Sequence, residues 1–126
     1  MARSRLIAAV LAASGVLLPV VAGAAGDAAA GAQLFKAQCG ACHSTEAGKN
    51  GVGPSLAGVI GRKSGSVPGF RYSAANRDAA ITWNAEVLDH YLTNPREVIP
   101  GTIMPFAGLS NATQRANLIA YLETLK

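Results

Sequence analysis

Three residues in the first half of the chain could together hold a metal cofactor. Cys39 and Cys42 are separated by two residues, and His43 follows directly. On a helical turn, side chains at positions i and i+3 point the same way, so both sulfurs can form thioethers with the two adjacent vinyl groups of one porphyrin. The imidazole of His43 can then coordinate the iron. The spacing therefore indicates covalent attachment of one c-type haem, with His43 as an axial ligand.

Met104 is the candidate for the second axial ligand. It lies in an extended segment, residues 100–106, where Pro105 restricts the preceding residue to extended backbone. Without the cysteine–histidine motif, a methionine packed in the core is the usual interpretation. With that motif, a thioether ligand that completes His/Met coordination is favoured. His90, the only histidine besides His43, lies beside an apolar helical stripe and is the alternative ligand for bis-His coordination.

Residues 1–24 have the pattern of a secretory signal peptide. Two arginines form a basic n-region, residues 6–21 are uncharged and rich in Leu, Val and Ala, and an Ala-x-Ala cleavage site ends at Ala24. We therefore expect the leader to be cleaved and residues 25–126 to form a single domain in the periplasm. An uncleaved membrane anchor is the alternative.

Removal of the leader lowers the net positive charge of the chain. The whole chain has 11 basic and 7 acidic residues, a formal net charge of +4. Two of the basic residues lie in the leader, and two haem propionates would bring the remainder to about neutral. The composition thus gives little support for binding nucleic acid or an anionic membrane. A Cys39–Cys42 disulfide is possible after export, but so small a loop would stabilise little.

Helical segments alternate with long loops. Four of the predicted helices or turns begin at a side chain that can cap them by accepting a hydrogen bond from the first turn: Asp27 before residues 28–39, Ser73 before 74–78, Asn94 before a short turn at Pro95, and Ser110 or Asn111 before 112–125. A further helix opens at Trp83-Asn84 and runs to about Thr93. Residues 44–73 lack periodicity and are rich in Gly and Pro. Such a long loop is unusual in a compact domain. It is expected here because the loop would surround a large prosthetic group. The predicted fold class is all-α.

From about Gly26 to Leu125 the chain resembles a class I cytochrome c, of the mitochondrial cytochrome c and bacterial cytochrome c2 type. Besides the haem motif, ordered blocks carry the resemblance: Gly53-Pro54-x-Leu56, Gly61-Arg62-Lys63, Ile81-Thr82-Trp83, Tyr91-Leu92-x-Asn94-Pro95, Ile99-Pro100-Gly101-Thr102-x-Met104 and Leu118-Ile119-Ala120-Tyr121-Leu122. The resemblance implies the cytochrome c fold, in which the N- and C-terminal helices cross and long loops wrap one haem. At the crossing, Gly31 and Phe35 would pack against Leu118 and Tyr121.

The resemblance also implies roles for individual residues. The carbonyl of Pro54 would accept the other ring N–H of His43. Tyr91 would reach the Met104 sulfur, and Phe106 would shield the haem edge. Propionates in a dry pocket need hydrogen-bond donors, and the resemblance assigns that task to Arg62, Tyr72 and Trp83, assisted by Ser73, Asn76 and Thr102.

The implied function is a soluble, exported electron carrier and not an enzyme. The iron would alternate between ferric and ferrous while His43 and Met104 both stay bound. The protein is expected to be a monomer, without stable membrane insertion after cleavage and without a nucleic-acid partner. Its redox partners would be transient: membrane cytochrome complexes, oxidases, a reaction centre or dehydrogenases. They would belong to a respiratory or photosynthetic chain.

The expected docking surface departs from that of the mitochondrial-type proteins, which surround the haem edge with lysines. The corresponding positions here hold Ala37, Gly51, Glu97, Ile103, Ser110 and Asn111, with Arg96 as the basic residue that remains. We therefore expect docking that depends less on electrostatics and on salt than docking by a lysine-ringed carrier.

Other functions could use the same residues. A haem enzyme or gas-binding protein needs an open iron position, and Met104 argues against one. A thiol–disulfide oxidoreductase would use Cys39 and Cys42 as a redox pair, but the sequence lacks the expected βαβ context. A zinc site would have only these two cysteines, His43 and His90 as ligands.

Overall fold

The computed structural model describes residues 26–126, so the predicted leader lies outside the described residues. Within this range there are five helices: α1 (Ala28–Gln38), α2 (Ala74–Asp78), α3 (Ala85–Thr93), α4 (Pro95–Val98) and α5 (Ala112–Leu122). Extended segments of the same range pair only in an isolated antiparallel bridge between Lys63 and Thr82. The all-α fold class is therefore confirmed. None of the five helices is long and apolar enough to cross a membrane.

Most of the predicted caps are present, and one is wrong. The predicted caps Asp27, Ser73 and Asn111 each accept a hydrogen bond from the first turn of the helix that follows. Asn84, which was not predicted as a cap, does the same for α3. The Asn94 side chain makes no such bond before α4. Its amide nitrogen is instead directed at the Glu97 carboxylate, 3.4 Å away. The backbone carbonyl of Asn94 accepts the Glu97 N–H at 3.1 Å.

The two long terminal helices end slightly earlier than predicted. Helix α1 ends at Gln38, and the N–H of Cys39 still bonds to the Phe35 carbonyl at 2.8 Å, so the haem motif begins in the capping turn. Helix α5 ends at Leu122 instead of Leu125. After it, backbone hydrogen bonds span three residues, as in the tighter 3₁₀ turn that often closes a helix.

Helices α1 and α5 cross at a glycine, which confirms the predicted crossing. A Cβ atom on Gly31 would lie 1.9 Å from the Asn117 carbonyl oxygen, so only glycine permits this approach. One turn further along α1, Phe35 packs on Tyr121 with ring centroids 5.5 Å apart. Leu118 on α5 is 1% exposed at the same contact. The crossing joins the two ends of the described chain and closes one side of the core.

The loop at residues 44–73 is irregular, as expected, and its own side chains hold it in shape. The buried Ser55 hydroxyl donates to the Glu46 carbonyl at 2.6 Å and accepts from Ala57 N at 3.2 Å. Asn50 accepts the Ser55 N–H at 3.0 Å and donates to the Pro68 carbonyl at 3.2 Å. These bonds satisfy backbone groups that no helix or sheet pairs.

Ala80 is a position where a substitution by glycine should stabilise the fold. Among residues 26–126 it is the only residue other than glycine with a positive φ, +53°. A left-handed conformation costs an L-residue about 1–2 kcal/mol, and glycine avoids that cost at the expense of a more flexible unfolded chain. We expect Ala80→Gly to raise the free energy of unfolding by about 0.5 kcal/mol in denaturant titrations.

Ala79→Gly is the matched control for that substitution. Ala79 has a φ of −62°, so glycine there relieves no strain and should lower the free energy of unfolding by roughly 0.5–1 kcal/mol. Equal losses in the two variants would show that Ala80 is not strained.

Candidate functional site

A cleft of about 310 Å³ lies between the helices and the long loop. Helices α3 and α5 contribute mainly apolar side chains to its walls. The turn after α1, the long loop, α2 and the segment before α5 supply most of the rest. All twelve residues predicted to hold the cofactor line this one cleft: Cys39, Cys42, His43, Pro54, Arg62, Tyr72, Asn76, Trp83, Tyr91, Thr102, Met104 and Phe106. The sequence separates the first and last of these by 67 positions, and the fold brings them to one site.

His43 is held in one orientation by its neighbours. A short turn places it, with its N–H donating to the Cys39 carbonyl at 2.9 Å. The ring Nδ1 lies 2.8 Å from the Pro54 carbonyl, which can only accept, so Nδ1 carries the proton and Nε2 is free to coordinate a metal. A Cβ on Gly53 would lie 2.3 Å from Cε1 of the ring. Glycine at that position is therefore required for the imidazole to fit.

The ionisation of the haem motif follows from its burial. Burial lowers the pKa of His43, the hydrogen bond to Pro54 opposes this, and the charge of Arg62 lowers it further. The net direction favours the neutral imidazole that a metal requires. Burial, with a smaller contribution from the neighbouring Cys42, raises the pKa of Cys39 to about 11. Both cysteines are half-buried in the cleft wall and neither forms a disulfide.

Met104 is presented to the same cleft by a segment without regular secondary structure. Its N–H donates to the Thr102 hydroxyl at 3.4 Å, and that hydroxyl donates to Asn76 Oδ1 at 3.2 Å. The Tyr91 hydroxyl lies 3.9 Å from the Met104 sulfur. Burial raises the pKa of Tyr91, opposed by hydrogen bonds to Thr102 and Asn76. The phenol therefore keeps its proton and can donate to the sulfur.

The polar part of the cleft is built around one half-buried cation. Arg62 donates through Nη1 to the Ala57 carbonyl at 3.0 Å, and its backbone carbonyl accepts the Trp83 N–H at 2.9 Å. Burial lowers the pKa of this guanidinium. The hydroxyl of Tyr72 accepts the Val67 N–H at 3.1 Å, which leaves the phenolic proton available to an acceptor. A positive charge and spare donors suit an anionic group inside an otherwise apolar site.

These features fit a large apolar cofactor with acidic substituents. The cleft has two thiols on one wall, and the His43 imidazole and the Met104 thioether both line it. A cationic, donor-rich region completes the set. Within residues 26–126 no three His, Cys, Asp or Glu side chains cluster as a metal-ion site. His90 is exposed and does not line the cleft, so the structure gives no support to His90 as the second ligand.

Several lining residues were not among the predicted site residues. Leu118 and Leu122 reach the cleft from α5, and their i, i+4 spacing on the apolar face was the signal that could have found them. Val59 is 4% exposed, and it comes from the irregular loop, where no periodic pattern marks it. Val52 and Ile103 also line the cleft although they are 74% and 73% exposed. Exposed apolar residues of this kind carry no local sequence signal.

The chain is similar to known proteins along most of its length. A family model described as Cytochrome c matches residues 28–126. The chain is 50% identical over 101 residues to a cytochrome c of Euglena viridis, covering 80% of this chain and 99% of that protein. It is 53% identical over 100 residues to cytochrome c2 iso-2 of Magnetospirillum molischianum, covering 79% and 99%. A cytochrome c of Gibberella zeae is 50% identical over 101 residues, covering 79% and 95%.

Proposed function

Since this chain belongs to the cytochrome c family, we propose that it passes single electrons between redox partners of a respiratory or photosynthetic chain, using His43 and Met104 as axial ligands. One haem c is held covalently through Cys39 and Cys42. Its iron supplies a centre that accepts and releases one electron. The observation that carries the proposal is that the Met104 side chain and His43 line the same cleft as the two cysteines.

The protein's own groups keep both ligands in place. The Pro54 carbonyl fixes the His43 ring and its tautomer, and ligand histidines with such a partner are stronger donors. The Tyr91 hydroxyl donates to the Met104 sulfur and draws electron density from it. The apolar lining and the soft thioether both favour the ferrous state, which raises the reduction potential. No side chain of the site is needed to act on a substrate.

The polar region is proposed to neutralise the propionates. Arg62, Tyr72 and Trp83 are the donors of this region, with Ser73, Asn76 and Thr102 around them. A half-buried guanidinium offsets the cost of holding carboxylates away from water. Phe106 would exclude water from the exposed edge of the cofactor.

The leader pattern supports cleavage at about Ala24 and a working location in the periplasm. We propose a monomer that forms transient complexes with membrane cytochrome complexes, oxidases, a reaction centre or dehydrogenases. The rim of the cleft supports docking through apolar contact. Val52 and Ile103 are about three-quarters exposed there, and Arg62 is the one lysine, arginine or acidic residue among the described residues that line the cleft.

A weak dependence on salt is therefore expected for electron transfer. Between about 20 and 300 mM salt, the second-order rate with the physiological partner should change less than about threefold, measured by stopped-flow absorption. The double variant Ile103→Lys/Asn111→Lys should steepen the salt dependence, because it adds cations at positions where mitochondrial-type carriers have lysines. A steep dependence in the unmodified protein would contradict the proposed apolar docking.

Binding of carbon monoxide distinguishes an electron carrier from a haem enzyme or a gas-binding protein. If Met104 occupies the sixth position, the ferrous holoprotein at neutral pH should not bind carbon monoxide, because the thioether must first leave. A gas-binding protein or enzyme with an open position would bind it readily, with a large change in the absorption spectrum. Intact-mass analysis of the same sample should show one haem and no free thiol, and two free thiols without haem would support an oxidoreductase instead.

A further inference from the structure

The segment that carries Met104 is hydrogen-bonded to other elements at its two ends, and between them Phe106 packs against the core. Upstream, the Thr102 hydroxyl bonds to Asn76 Oδ1 and to the Met104 N–H. Downstream, the Leu109 N–H donates to the Leu92 carbonyl of α3 at 2.7 Å. The residues between Met104 and Leu109 belong to no helix or strand. The position of the sulfur therefore depends on how firmly each end is fixed.

Arg115 on α5 joins the downstream end to two helices. Its Nη1 donates to the carbonyls of Leu109 at 2.8 Å and Ser110 at 3.0 Å. Its Nε donates to Asp89 on α3 at 2.8 Å. The Arg115 side chain is only 11% exposed, whereas that of Asp89 is 46% exposed. A guanidinium so deeply placed needs all three acceptors, and its planar fork directs Nε and Nη1 to acceptors on two different elements at once.

Gly108 allows the segment to lie directly against the end of α3. Its φ is +110°, and a Cβ there would be 2.1 Å from the Thr93 carbonyl oxygen. This close approach lets Leu109 supply an N–H to the Leu92 carbonyl, one of the acceptors that the end of a helix leaves unpaired. Arg115 donates to the carbonyl of the same Leu109.

We propose that Arg115 is a positioning residue for Met104. It acts through residues 105–110: by fixing their downstream end between α3 and α5, it keeps the sulfur directed into the cleft. Without it, the segment swings away from the cleft while the helices remain folded, which is a local opening of low cost. The proposal rests on the proposed function, in which Met104 is an axial ligand.

The first test measures how often Met104 leaves the iron. In the ferric holoprotein, added imidazole replaces the methionine only when the segment opens, and the methionine-to-iron charge-transfer absorption then disappears. We expect Arg115→Gln to accelerate this replacement by about tenfold. Asp27→Ala is the matched control, because it removes two hydrogen bonds from the start of α1 and destabilises the fold away from Met104. It should change the rate less than about twofold.

The second test compares two backbone amides in the same sample by hydrogen exchange. In Arg115→Gln the protection of the Leu109 amide should fall about tenfold relative to that of the Leu118 amide in α5, which reports global unfolding. Asp27→Ala should lower both equally. Should Arg115→Gln not fold, Gly108→Ala disturbs the same contact from the α3 side and carries the same expectation.

An unchanged imidazole rate in the variants, or an equal fall at both amides, would overturn the role of Arg115. That result is separate from a failure of the proposed function. If the unmodified ferric protein lacked the methionine charge-transfer absorption, Met104 ligation itself would be overturned, and the Arg115 proposal with it.

Discussion

Gly31→Val is expected to lower the free energy of unfolding of the holoprotein by about 3 kcal/mol or more. A Cβ at this position would lie 1.9 Å from the Asn117 carbonyl oxygen and 2.8 Å from the Tyr121 Cβ. Both atoms belong to the rigid part of α5, so neither can turn aside as a flexible side chain would. The two helices must separate, and the packing of Phe35 against Tyr121 is then lost as well.

The control for this substitution is Ala37→Val on the exposed side of the same helix. It introduces the same β-branched side chain, so it should cost only the difference in helix propensity, roughly 0.5 kcal/mol. Guanidinium titrations followed by helical circular dichroism would measure both values. Similar losses at the two positions would mean that the α1–α5 contact does not depend on Gly31.

Met104→Ala is expected to open one axial coordination position of the haem iron. In the proposed coordination, removal of the thioether leaves the sixth position without a protein ligand, because alanine offers no donor atom. The ferrous variant should then bind carbon monoxide. Its reduction potential should fall by more than about 0.1 V, since axial ligands tune haem potentials over a range of ~0.8 V. Voltammetry and absorption spectra of the purified variant would measure the two effects.

Ile103→Ala is the control for Met104→Ala. It truncates the neighbouring residue of the same segment, whose side chain is 73% exposed, so the potential and the carbon monoxide response should stay as in the unmodified protein. If Met104→Ala left both properties unchanged, the second axial ligand would have to be another group. If Ile103→Ala altered them equally, the effect would belong to the segment and not to the sulfur.

The helices were predictable because their signals are local. A capping side chain and an apolar stripe lie within one or two turns of the chain, so the starts of α1, α3 and α5 could be placed from sequence. The failure at Asn94 has a local reason too. An asparagine has both a donor and an acceptor, and here the donor faces Glu97. Which of the two atoms faces the helix depends on its neighbours in space.

The site was predictable through its motif and through the resemblance. The cysteine–histidine spacing indicates haem attachment by chemistry alone, and Met104 becomes a ligand candidate only in that context. Val59 could not be found in this way, because its burial arises from where the irregular loop folds back. That path is fixed by distant bonds such as the one from Asn50 to Pro68, and no periodic pattern records them.

The role proposed for Arg115 could not be predicted from the sequence. In sequence it is one charged residue on an amphipathic helix, for which a solvated surface position is the usual expectation. Its partners are Asp89, 26 residues earlier, and two backbone carbonyls just before its own helix. Backbone carbonyls have no residue type, so a sequence pattern cannot reveal such a contact.

The absorption spectrum of the unmodified ferric holoprotein at neutral pH tests the central claim most directly. With His43 and Met104 both coordinated, the iron should be low-spin and should show the methionine-to-iron charge-transfer absorption. A high-spin spectrum, or a low-spin spectrum without that absorption, would contradict the assignment of a carrier with both axial positions filled by this chain.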